Sequence, residues 1–298
     1  MSDAPEATKI IEKRLSPSLT LAWLAFCIGV FLLCLNLIGF FIPKRSTLIY
    51  SVVAEDNHGT SLSYEDALKQ IDRGPKESNQ DYTLRLNSVI NRTMLHDWED
   101  SNITRYNLTI PPYHNYLLYL GSFIRPDIYL KYEFCNPYRA LQRGVGWCSE
   151  HAIALTGILG KNDVQSRLIT LKGHVVSEVL IDPATNTLWI ADPDHGTVIK
   201  KSLSEIEQDP GLVREPYLAA GVSPSKTDDL VALYEKDGNQ TFDWGVNGYV
   251  DCSTFKTTVT KVSYFLIWAI PALLILPMIV WFFRIARARK RASGQPMQ

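Results

Sequence analysis

Residue types able to carry out acyl transfer are concentrated in one stretch, GVGWCSEHAIALTGILGKNDVQSRLITLKGHVVSEVLIDPATNTLWIADPDHG, residues 144–196. Cys148 follows Gly144 and Gly146 and opens a run in which Cys148, Ala152, Leu155 and Leu159 recur at helical spacing, which predicts a helix with one buried stripe. A thiol in the first turn of a helix meets unpaired backbone N–H groups and the positive end of the helix dipole, and both favour the thiolate. A thiolate nucleophile needs a base to move protons and a third group to hold that base in one tautomer. His174 and Asp192 are the candidates for these two roles.

The elements between them must then bring the three together. RLITLKGHVVSEVLI and TLWIAD have strand composition, with His174, Val176, Glu178 and Leu180 on one face and Leu188, Ile190 and Asp192 on one face. A hairpin centred on Pro183, inside the Asp182–Thr187 turn cluster, sets His174 opposite Asp192. Packing that face on the start of the Cys148 helix assembles a Cys-His-Asp triad. Competing readings stand beside this one: Cys148 as a structural thiol, His174 as a core histidine, Asp194 as the true partner, Glu178 as an ion-pair or substrate-side group. Trp147 is either a wall of an acyl pocket or a core residue. Cys148 and His151 also form a Cys-x-x-His pair that His174 and His195 could join around zinc. Structural zinc sites use closely spaced ligand pairs and only one exists here, so neither metal nor cofactor is expected.

This segment resembles the core of the transglutaminase-like superfamily of papain-type cysteine enzymes. GWCSEHA, GHVVSEV and ADPDHG match the family's three blocks in order, and Ser166 and Arg167 match its helix-to-strand turn. The likeness covers 53 residues, and residues 44–143 carry no family motif. It implies an α+β, papain-like domain with the nucleophile helix packed on an antiparallel sheet. Cys148 would be the nucleophile, His174 the general base and acid, and Asp192 its orienting partner. The Cys148 backbone N–H would meet the oxyanion, and Gln142 is a candidate for the side-chain donor that such enzymes add from upstream.

The whole chain has 298 residues, a net charge of −1 and a mean hydropathy of −0.04. Those averages exclude a disordered or collagen-like chain and hide two uncharged apolar runs, residues 19–42 and 262–283. Each is long enough to cross the roughly 30 Å hydrocarbon layer as a helix. The first is too long for the roughly 7–15-residue core of a signal peptide, and no Ala-x-Ala site follows it. Lys9, Lys13 and Arg14 precede the first run, and Arg284, Arg287, Arg289, Lys290 and Arg291 follow the second. Only Lys44, Arg45, Lys256 and Lys261 flank the inner sides. The positive-inside rule therefore places both termini, residues 1–18 and the basic tail 284–298, in the cytoplasm. Residues 43–261 would face the other side, most simply the periplasm of a bacterial inner membrane. This exported part carries about six net negative charges, which argues against nucleic acid. It divides on sequence into an extension, 43–143, and the catalytic core with its stalk, 144–261.

Cys27 and Cys34 lie seven residues apart in the first run and read as packing residues, while Cys135 and Cys252 are the natural disulfide pair if Cys148 is the active thiol. Asn36 in the first run and Pro271 and Pro277 in the second suggest contact between the spans or with a membrane partner. Elsewhere TLIYSVVAE (47–55) reads as a strand. Ser63 caps a short helix ending near Gly74, and a second helical pattern runs from Leu84 to Trp98. Sequons at Asn91, Asn102, Asn107 and Asn239 matter only in a eukaryotic secretory pathway.

The expected activity is attack on an amide or peptide carbonyl of a protein or peptide substrate, through a thioester. Water as acceptor makes a peptidase or amidase, an amine makes a transglutaminase. The rival class is a non-catalytic interaction module of an envelope or polysaccharide assembly machine.

Overall fold

A computed structural model of the chain describes residues 17–51 and 60–292. Lys9, Lys13 and Arg14, and the last four residues of the expected 47–55 strand, lie outside the described residues. In chain order the helices are α1 (Pro17–Phe41), α2 (Tyr64–Leu68), α3 (Asn79–Thr93), α4 (Pro112–Ile124), α5 (Pro126–Tyr129), α6 (Pro137–Arg143), α7 (Cys148–Lys161), α8 (Leu203–Ile206), α9 (Arg214–Ala219), α10 (Pro224–Leu233) and α11 (Thr254–Ala292). The strands are β1 (Leu95–His96), β2 (Val145–Gly146), β3 (Ser166–Thr170), β4 (Val175–Asp182), β5 (Thr187–Asp192), β6 (Thr197–Ile199) and β7 (Gln240–Trp244). Among the described residues two compact units result, one from residues 17–42, 112–117 and 261–292, the other from 43–51, 60–111 and 118–260.

In the first unit, Leu19–Phe41 and Thr254–Arg287 are helical segments long and apolar enough to cross a membrane. The second apolar run is thus embedded in a longer helix than its uncharged core. Pro271 has no N–H to bond the Ile267 carbonyl one turn back. That carbonyl instead accepts from Asn36 Nδ2 at 2.5 Å and from the Tyr116 hydroxyl at 3.3 Å. Asn115, which breaks α4 with φ −163° and ψ 94°, donates to Ser263 Oγ at 3.0 Å. Two polar side chains therefore satisfy the carbonyl that the proline leaves free. Cys27 and Cys34, expected to pack, are exposed on α1, because α1 buries only a small share of its surface.

The second unit is α+β. Its five-stranded sheet is antiparallel throughout, in the order β6-β5-β4-β3-β7. Side chains alternate across it as a pleated sheet requires. Leu168 and Val175 pack with Cys148, Ala152 and Ile153 of α7, whereas Ile169, Val176 and Ile190 pack with Leu203, Ile206, Val213, Tyr217 and Leu230 of α8 to α10 and the turn before α9. The sheet is thus covered on both faces. α7 is buried almost all round rather than along one stripe, because α3 and α6 pack on it as well as the sheet. The division read at residue 143 falls between α6 and β2, inside this unit.

Three local expectations are corrected. Residues 47–51 form a 3-10 turn, held by Ser51 Oγ donating to the Leu48 carbonyl at 2.7 Å; Ile49 is buried against Leu95 and Val145, and among the described residues the segment joins no sheet ladder. Ser63 does cap a helix, but that helix stops at Leu68 rather than near Gly74. The pattern from Leu84 to Trp98 is helical only to Thr93, after which Leu95 and His96 pair in parallel with Val145 and Gly146.

A candidate catalytic site

The register of β4 on β5 pairs Ser177 with Ala191, Glu178 with Ile190 and Leu180 with Leu188. Continued, it places Asp192 across from Val176, two residues from the expected partner His174. The turn is displaced by an irregularity between Leu180 and Asp182, with Asn186 at φ 53°. Nor does α7 pack on the face that carries Val176 and Ile190. His174 meets both Cys148 and Asp192 because it precedes β4, where strand alternation does not yet apply. Gly173 makes this possible: at φ 97° it turns the chain so tightly that Leu171 N donates to the His174 carbonyl at 2.7 Å.

Cys148 is the first residue of α7, whose N-cap Trp147 provides no side-chain cap. The thiol is buried, 7% exposed, and lines the same cleft as His174, whose imidazole it acts on electrostatically. Nε2 of His174 lies 2.8 Å from Asp192 Oδ2, which leaves Nδ1 for the thiol. Asp192 is fully buried, and its carboxylate is saturated: Oδ2 also accepts from the Tyr217 hydroxyl at 2.8 Å, and Oδ1 accepts from the backbone N–H groups of Asp194 and His195 at 3.1 and 3.3 Å. Burial alone would drive the His174 imidazole neutral, yet the Asp192 carboxylate and the Cys148 sulfur outweigh it and hold it well above the usual histidine range. Burial likewise opposes ionisation of Asp192, but His174 and the donors around it keep its carboxyl below the ordinary value.

A cleft of about 530 Å³ opens at this point, lined by Cys148, His174, Ser149 and Glu133 and by aromatic side chains that include Trp147 and Trp98. Trp147 is half exposed and packs on Trp98, ring centroids 5.6 Å apart. Ser149 donates to Glu133, whose carboxyl burial pushes upward against the pull of Ser149 and Lys256. Gln142 and Glu178 are not among the cleft-lining residues. Glu178 is committed elsewhere: Arg167 Nε and Nη2 donate to it at 2.9 and 2.6 Å, and Leu203 N at 3.1 Å. The segment Tyr249 to Lys256, which contributes several cleft-lining residues, is tied down by a disulfide between Cys135 and Cys252, Cα atoms 5.4 Å apart and 117 residues apart in sequence.

Sequence reasoning missed a second layer. Asp194, the alternative partner, does not bond His174; its Oδ1 lies 2.8 Å from His96 Nδ1, and Asn91 donates to its backbone carbonyl at 2.8 Å. His151 Nδ1 lies 2.8 Å from the Trp147 carbonyl, with its ring stacked on that of His96. The zinc set suggested by spacing does not assemble, since the imidazole and carboxylate atoms that converge belong to His174, Asp194 and His195. Tyr217 carried no local signal, being brought in by α9 from 25 residues downstream.

Tyr217 tests how far Asp192 depends on its donors. In Tyr217→Phe the carboxylate loses one buried hydrogen bond and the Tyr234 hydroxyl, 2.9 Å from Tyr217, loses its partner. A loss of about 1–3 kcal/mol of stability is expected in chemical denaturation, with no change in the cleft.

Comparison with protein-family models, curated proteins and solved structures finds no match to this chain.

Proposed function

We propose that this chain is a membrane-anchored cysteine enzyme that cleaves amide or peptide carbonyls on the extracytoplasmic side, with a transglutaminase-like core. One observation carries the reading: a buried thiol at a helix start and an imidazole line one open cleft, and a saturated carboxylate holds that imidazole from behind.

In the proposed reaction the Cys148 sulfur, its proton held on His174 Nδ1, attacks the substrate carbonyl carbon. The oxyanion that forms meets the Cys148 backbone N–H at the start of α7. His174 then gives its proton to the leaving nitrogen, the C–N bond breaks and a thioester remains. Water, deprotonated by His174, attacks the thioester, and the acid leaves as sulfur regains the proton. Asp192 holds Nε2 throughout, so that Nδ1 always faces the sulfur. An amine in place of water gives transamidation by the same steps. Hydrolysis is the reading put forward, because it requires no second binding subsite.

Alkylation measures the ion pair without knowledge of the substrate. A free thiol with pKa near 8.5 is only about 0.3% ionised at pH 6, so an ion-paired Cys148 should react roughly 30- to 100-fold faster than a small-molecule thiol there, allowing for its weaker intrinsic nucleophilicity. Iodoacetamide labelling followed by peptide mass spectrometry reads the rate at Cys148. A rate no faster than the reference thiol sinks the enzyme reading and leaves the interaction-module class.

A further inference from the structure

Four of the six histidines of the chain, His96, His151, His174 and His195, gather around Asp192 and Asp194. Among the described residues, ligand atoms of His174, Asp194 and His195 lie within 4.8 Å of one another, and all three side chains are buried. Two imidazoles and one carboxylate form the donor set of three-ligand zinc centres, which leave a fourth position open.

The surroundings match such a centre in two further ways. Ligands must be held by their neighbours, and Asp194 and His195 sit on a turn whose backbone N–H groups are fixed by Asp192 Oδ1, with Asn91 on the Asp194 carbonyl. Imidazole and carboxylate ligands are normally oriented by outer hydrogen bonds. His174 has Asp192 in that position and Asp194 has His96, each at 2.8 Å. Access exists from the cleft, which His174 lines.

We propose that His174, Asp194 and His195 bind a zinc ion reversibly, and that the bound ion blocks the acyl-transfer reaction. Blocking follows from the position of His174 and rests on the function proposed above; binding does not. With Nε2 held by Asp192, ligation falls to Nδ1, the nitrogen that the proposed reaction uses to carry the thiol proton. Zinc and substrate chemistry therefore exclude each other at one imidazole.

The test is zinc titration by calorimetry of the full chain in detergent micelles, as wild type, Cys148→Ala and His195→Ala, with Cys148 alkylation followed with and without zinc. One zinc per chain is expected in wild type and Cys148→Ala, binding at least 10-fold weaker in His195→Ala, and wild-type alkylation slowed at least 10-fold by saturating zinc. His195→Gln serves as the second variant if the alanine form melts early. Absence of stoichiometric binding in wild type, or binding that survives loss of His195 but not of Cys148, overturns the site. Zinc bound at the site with alkylation still fast overturns the block. If alkylation is slow even without zinc while His195-dependent binding persists, the catalytic reading fails and the metal site stands.

Discussion

Asp192→Asn is expected to slow alkylation of Cys148 at pH 6 by roughly 30- to 100-fold while leaving the fold intact. The orientation of the new amide is dictated by the backbone. Two N–H groups, of Asp194 and His195, point at Oδ1, so the amide oxygen must occupy that position. Its NH2 group is then turned toward His174 Nε2 and the Tyr217 hydroxyl, both of which bond Oδ2 in the native protein. A donor facing Nε2 selects the tautomer with its proton on Nδ1, which cannot accept one from the thiol. The variant also lacks the negative charge that holds His174 cationic.

The pH profile separates this from a general loosening of the site. In the native protein the raised His174 and the lowered Asp192 keep the cation and carboxylate together across the neutral and mildly acidic range. The alkylation rate should therefore stay high as pH falls, declining only as the depressed Asp192 value is approached. In Asp192→Asn the rate should instead fall steadily as pH is lowered through the neutral and mildly acidic range, because the imidazolium that supports the thiolate is lost. A flat acid limb in the variant would show that Asp192 does not govern the pair. With hydrolysable substrate, loss on the order of 10³–10⁴ in turnover is expected from the tautomer alone.

The chemistry of this site was more legible than its geometry. Cys148, His174 and Asp192 stand out because few side chains can act as nucleophile, base and orienting group, and turn glycines precede the first two. The way they meet was not legible. Period-two reasoning put His174 and Asp192 across from one another on a face packed by α7, whereas the turn irregularity shifts the register and His174 works from outside the strand. Tyr217 and His96 come from distant parts of the chain, and spacing within a motif holds no information about them, whereas the Cys135–Cys252 bond was readable once Cys148 was set aside as the active thiol. The apolar spans were readable from length and charge alone, since crossing a hydrocarbon layer is a one-dimensional requirement. The bond from Asn36 to the Ile267 carbonyl was half visible, as an amide without a stated partner; the missing step was that Pro271 frees that carbonyl.

The largest stability effect is expected at a pair that sequence reading passed over. Glu150 lies in the first turn of α7, fully buried, and Arg143 closes α6 just before the strand that leads into Cys148. Arg143 Nη2 pairs with Glu150 Oε2, Nη1 donates to the carbonyls of Leu108 and Tyr132, and Nε donates to that of Val145 at 3.2 Å. Phe134 N donates to Glu150 Oε1 at 3.0 Å. The pair thus braces both approaches to Cys148, and Gly144, at φ 70°, turns the chain between them. Arg143→Met leaves a buried carboxylate without its guanidinium partner and takes the guanidinium donor from three carbonyls, of which that of Leu108 keeps Tyr132 N at 2.9 Å. Breaking such a pair costs about 3–5 kcal/mol, a fall of about 10 °C in melting temperature for a unit of this size. Burial already pushes the Glu150 carboxyl above its ordinary value, with Arg143 opposing. Without Arg143 it rises further, so the folded variant binds a proton more readily than the unfolded chain. Its deficit should therefore shrink as pH falls from 7 toward 5, opposite to the trend for a depressed carboxylate such as Asp192. Arg143→Met/Glu150→Gln removes the charge and retains an acceptor for Phe134 N, and should recover more than half of the loss. Thermal melts of the four proteins at pH 7 and pH 5 check this. If the double variant is no more stable than Arg143→Met, the guanidinium's bonds to the three carbonyls, and not the ion pair, hold this corner of the site.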